Sequence, residues 1–89
     1  MCRNITELRG LEPPATETEV EAAARQFVRK VSGLNKAPVG HEEPFEAAIA
    51  EVALIMGALL DELPPRRQPT THLPPLRRRA QAQAEAATA

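Results

Sequence analysis

Large aromatic side chains are nearly missing from this 89-residue chain, which has no Trp, no Tyr and two Phe. Val, Ile, Leu and Phe together number nineteen, about a fifth of the residues and close to the level at which a chain stops folding on its own. The apolar fraction of 43% is carried largely by sixteen alanines. A single cysteine, Cys2, excludes a disulfide framework within the chain. The opening Met1-Cys2-Arg3-Asn4 lacks an apolar h-region, so no secretory signal is read. The longest apolar-rich run, Ala47 to Leu60, is fourteen residues broken by Glu51 and is too short to span a bilayer. These absences exclude a large enzyme, a β-propeller or sandwich, and a nucleotide-binding domain of ordinary size. A soluble protein of the reducing cytoplasm, with no membrane partner, is expected.

What is present is charge, proline and helical periodicity. Residues 1–63 carry six Lys/Arg and eleven Asp/Glu, a balance of −5, and residues 64–89 carry five Arg and one Glu, a balance of +4. The body is therefore acidic and the tail basic, although the net charge is only −1. Thr16 and Glu19 form a capping-box pattern, each side chain able to satisfy the other's free backbone N–H. Val20, Ala23, Ala24, Phe27, Val28 and Val31 follow at helical spacing, and Gly33 with Leu34 offers a left-handed stop. This predicts a first helix over 17–32. A second helix is expected from His41 or Glu42 to Leu63, with Pro44 tolerated in its first turn and Pro64-Pro65 ending it. Its inward stripe reads Phe45, Ala48, Ile49, Val52, Met56, Leu59, Leu60 and Leu63. The loop from Asn35 to Gly40 is short enough to force an antiparallel pair.

The expected fold class is all-α, an antiparallel helical hairpin with a short N-terminal helix or arm and a disordered basic C-terminal tail. The domain spans residues 1–63. Asn4 to Arg9 reads as a helical turn, capped by Asn4 and stopped by Gly10. Residues 64–89 read as a Pro/Arg/Ala-rich linker and tail, disordered or a frayed helix, because Leu76 is the only large apolar residue between 76 and 87.

Three stretches resemble a small bacterial family known as DUF2277, a domain of unknown function. They are Met1-Cys2-Arg3-Asn4-Ile5, Glu12-Pro13-Pro14-Ala15-Thr16 and Gln26-Phe27-Val28-Arg29-Lys30-Val31-Ser32-Gly33. The resemblance runs to about Leu63 and implies a short, cytoplasmic, all-helical protein. It supplies no catalytic residues.

The informative anomaly is the second helix, where Glu51 is the only charge between Ala47 and Leu60. At 100° per residue, Ala47, Ala50, Leu54, Gly57 and Ala58 lie away from the inward stripe, where a water-facing helix should carry charge. Ala50 and Gly57 would allow another backbone to approach closely. This face is the expected interaction surface, for a homodimer or a protein partner, unless Ile5, Leu8 and Leu11 fold back over it. Two helices alone make a thin core, so a third layer is needed either way. The leading function is a non-catalytic protein-interaction or self-association module.

The alternative is a weak nucleic-acid binder using Arg25, Arg29, Lys30 and Lys36 with the tail arginines. No aromatic is placed among those cations to stack bases, and both long helices begin with glutamates that repel phosphate. Glu21–Arg25 is an i,i+4 pair, the commoner use of such charges. Glu12, Glu17, Glu19, Glu21, Asp61 and Glu62 could gather at one pole of the hairpin, where plain solvation is the commoner outcome and a dock for Arg66, Arg67 or Arg77-Arg78-Arg79, from this chain or a neighbour, is one alternative. Cys2 is a candidate reactive thiol if Met1 is trimmed, with Arg3 favouring the thiolate. No His/Cys spacing matches a zinc site, and neither a metal nor a cofactor is expected.

Overall fold

The computed structural model describes residues 5–64 and 73–88. Among them the helices are α1 (Glu17–Ser32), α2 (Glu42–Glu62) and α3 (Pro75–Thr88), with no strand. The protein is all-α.

Local chemistry sets both ends of α1. Thr16 is extended and its hydroxyl accepts from the Glu19 N–H at 3.2 Å, while the Thr16 N–H donates to Glu19 Oε1 at 2.9 Å. At the other end Gly33 adopts φ 75°, and the Gly33 and Leu34 N–H groups both reach the Arg29 carbonyl, at 2.9 and 3.2 Å. That geometry needs a residue without a Cβ penalty at the left-handed position. α2 begins without a side-chain cap, at His41, and its first-turn Glu42 and Glu43 complement the helix dipole instead.

α1 and α2 pack antiparallel. Ala24, Phe45 and Ile49 form the buried cluster, with Val28, Leu34, Ala37, Val52 and Ala53 packed around it. Arg25 clamps the same register, its guanidinium donating to both Glu46 oxygens at 2.7 and 2.8 Å. The core is thin: among the described residues its buried apolar side chains are Leu11, Val20, Ala24, Phe45 and Ile49, with Pro74 buried near the start of α3. Only the first half of the expected α2 stripe is inside. Phe45 and Ile49 are buried and Ala48, Val52 and Leu60 half-buried, whereas Met56, Leu59 and Leu63 are exposed. In α1, likewise, Phe27 and Val31 stay exposed.

The N-terminal segment is an arm, not a helical turn. Residues 5–8 have no regular structure and a turn falls at Arg9 and Gly10, the latter at φ 91°; Asn4 lies outside the described residues. A single turn fixes too many dihedrals for one hydrogen bond, and this segment is held by tertiary contacts instead. Leu11 is buried, Leu8 half-buried, and Arg9 Nε donates to the Pro64 carbonyl at 3.0 Å.

Of the two states expected for the tail, disorder or a frayed helix, the described part is helical. α3 starts with Pro75 at its first position, where the missing N–H costs nothing, and the Arg77 and Arg78 N–H groups close onto the Pro74 carbonyl at 3.0 Å. Ala, Arg and Gln supply its propensity. From Arg78 to Ala87 its side chains are exposed, and Arg77 in its first turn is held to Glu19 and Pro14.

Candidate functional site: the faces of α2 and the acidic pole

The sequence-defined face of α2 is only flanked by the arm. Leu54 remains 75% exposed, Ala47, Ala50 and Ala58 are exposed, and Gly57 is half-buried. Ala50, Leu54, Gly57 and Ala58 form one wall of a cavity of about 830 Å³ whose other wall is the arm and the start of α1. Glu12, Glu17, Glu21 and Asp61 also line it, so its floor is apolar and its rim acidic. A second cavity of about 720 Å³ opens on the other side of the arm, lined by Ile5, Leu8, Phe27, Val52, Met56 and Leu60 among others. Sequence reasoning placed Phe27 and Met56 inward and so missed this second apolar surface. α2 is five residues longer than α1, and that difference was the available signal.

At the acidic pole the less expected of the two outcomes is found, an arginine dock within the chain through Arg77. Arg77 Nε donates to Glu19 Oε2 at 2.6 Å and Nη2 to Glu19 Oε1 at 3.0 Å, and Nη2 also reaches the Pro14 carbonyl at 3.0 Å. Glu19 is only 6% exposed. Burial pushes its carboxyl up, but the Arg77 hydrogen bonds, the Thr16 N–H, the Arg77 charge and the Thr16 hydroxyl together outweigh that and hold it below the ordinary glutamate range. Arg66 and Arg67 lie outside the described residues.

The candidate anion strip is divided by its own ion pairs. Arg25 is bound by Glu46 and by Glu21, and hydrogen bonds to the two carboxylates, Glu46 first, raise its pKa further. Hydrogen bonding to Arg25 in turn lowers the Glu46 carboxyl against a small opposing desolvation. The Glu21 pair was legible at i,i+4; Glu46 required the hairpin register. Arg29 is half-buried, with its Nε unpartnered, while Lys30 and Lys36 are exposed. The structure therefore leaves Arg29, Lys30 and Lys36 as a shorter strip from which Arg25 is withdrawn.

Cys2 and His72 lie outside the described residues, and His41 is exposed at the start of α2. Among the described residues, no group of three or more His, Cys, Asp or Glu is placed to hold a metal ion, and no helix is long and apolar enough to cross a membrane.

These features define a small helical protein in which a hairpin carries exposed apolar surface on its longer helix. The family model described as uncharacterized conserved protein, DUF2277, matches residues 1–85, and the chain belongs to that family. The match extends beyond Leu63, where the sequence resemblance was expected to end, and takes in most of α3. No curated protein and no solved structure matches the chain.

Proposed function

We propose that this chain is a non-catalytic protein-interaction module whose contact element is the second half of α2. One observation carries the reading. Of the large apolar side chains left exposed, Leu54, Ile55, Met56, Leu59 and Leu63 fall within ten consecutive residues at the end of α2 and its C-cap, with Leu54 and Ile55 at 75% and 67% exposure. Scattered exposed leucines need no explanation, but a concentration on one short element marks a surface meant to be covered. The commitment of Arg25 to two glutamates weighs against the nucleic-acid alternative, which depends on that strip.

The test is site-specific photo-crosslinking in cells, with the reactive group placed at Leu54 and at Ile55, and at exposed Glu43 as the control. Discrete protein adducts from either of the first two positions and none from Glu43 support the module. Absence of any adduct from Leu54 and Ile55 overturns it, and an adduct lost on nuclease treatment would favour the nucleic-acid reading instead.

A further inference from the structure

We infer that the second half of α2 pairs with the same segment of a second copy of this chain, through Met56, Leu59 and Leu63 with Ile55 at the edge. The inference rests on the interaction-module reading and names its partner.

Phe45, Ile49, Val52, Met56, Leu59 and Leu63 follow one another at spacings of four and three residues, the a/d pattern of a helix–helix seam. The first half of that seam is closed on α1, with Phe45 8% and Ile49 1% exposed. Its second half is open, with Met56, Leu59 and Leu63 at 40%, 45% and 38%. Length is the cause. α1 has 16 residues and α2 has 21, which at the helical rise leaves α2 about 7 Å longer. The seam therefore continues past its partner helix.

Elsewhere in the described chain, Ile5 and Leu8 of the arm face Met56 and Leu60 across the second cavity but leave Met56, Leu59 and Leu63 exposed. α3 contributes one large apolar side chain, Leu76, and its first turn is held at Glu19 by Arg77. The arm's Leu11 is already buried. A second α2 has the matching residues at the matching spacing, and an antiparallel two-fold crossing lets one surface serve both copies. Centred on Leu59, that crossing sets each Leu63 against the second copy's Ile55. It also keeps the two Glu62 carboxylates about 9 Å apart along the axis. The exposed parts of Ile55, Met56, Leu59 and Leu63 amount to at most roughly 400 Å² per copy, so full coverage buries about 800 Å² in all, the size of a weak, concentration-dependent pair. The thin core of the described residues is what makes such pairing worthwhile, since small domains commonly gain stability by oligomerising.

Sedimentation velocity of the full chain, from micromolar concentrations upward, tests this. The expected result is a monomer–dimer equilibrium whose dissociation constant rises at least 100-fold in Leu59→Glu and Ile55→Glu, with the helical circular dichroism retained. Leu54→Glu, on the opposite side of α2, should sediment as the parent does. A variant that leaves the packing intact gives an independent readout. In a Cys2→Ser background, Leu59→Cys should form a disulfide-linked dimer under mild oxidation and Leu54→Cys should not. A parent that stays monomeric throughout overturns the inference, as does a dimer that survives both seam substitutions or is cross-linked equally well from position 54. If the chain is monomeric yet still gives crosslinked adducts in cells, the second copy is refuted while the module reading stands; loss of both defeats both.

Discussion

Glu19 serves two elements at once, and the consequences are sharp because it is buried. Its carboxylate accepts the Thr16 N–H that begins α1, and it also receives the two Arg77 donors that hold the start of α3. Arg77→Ala would leave that carboxylate with its Thr16 bonds only, a cost of about 1–3 kcal/mol for the lost charged partner. The visible effect should be on α3: a 14-residue helix is marginal without tertiary support, so amide exchange across 75–88 should accelerate while α1 and α2 stay protected. Glu19→Gln separates the two roles, because glutamine still completes a capping box but no longer pairs with a cation. The same faster exchange across 75–88 should appear there, with α1 again protected. Acid gives the third route. The Glu19 carboxyl is lowered on folding, so its contribution is full above the ordinary glutamate value, near pH ~4, and is lost as pH falls through the folded value. Release of α3 should therefore begin only below about pH 4; release between pH 5 and 7 would show that another group holds it.

At the scale of the element, α2 contains a residue that weakens it without a local reason. Gly57 has ordinary helical backbone, and a Cβ built there meets nothing within 4 Å. Gly57→Ala should thus stabilise the chain by about 1 kcal/mol in urea denaturation. If crosslinking from Leu54 falls in the same variant, the missing methyl group is what lets a partner backbone approach this side of α2; unchanged crosslinking would remove that role from Gly57. The helices themselves were legible because their signals are local: Thr16 with Glu19, Gly33, and Pro64 each act within a few residues of the boundary they set. What periodicity could not supply was how far the packing extends. It placed Met56, Leu59 and Leu63 on the inward stripe of α2 correctly as a pattern, but α1 and the arm do not reach far enough to cover them. Asn4 to Arg9 failed for the opposite reason, since a cap and a stop were read where the intervening segment is too short to repay helix nucleation. α3 was underestimated because its anchor, Arg77 on Glu19, joins residues 58 positions apart. The acidic pole was legible as a place for an arginine, though which one depended on the path of the chain.

For the molecule as a whole, the decisive quantity is the small amount of apolar surface it removes from water. Among the described residues, the small buried cluster around Ala24, Phe45 and Ile49 and clamps such as Arg25–Glu46, whose carboxylate is 54% exposed, must offset the ordering of the hairpin. Exposed ion pairs contribute little, so the hairpin alone is marginal, and anything that binds only the folded form shifts the balance by mass action. If α2 pairs with a second copy, folding and association are linked. The thermal midpoint should then rise with protein concentration, by a few degrees per tenfold change for a domain of this size. Leu59→Glu should abolish that dependence and hold the midpoint at the value the parent approaches on dilution, because it removes the association while adding a charge to a side chain already 45% exposed. Leu54→Glu should leave the dependence intact. Differential scanning calorimetry at several concentrations reads all three chains directly. A midpoint independent of concentration in the parent would mean that the hairpin, the arm and the Arg77 anchor suffice for stability. The open seam of α2 would then have to be assigned to a partner that the chain binds after it has folded.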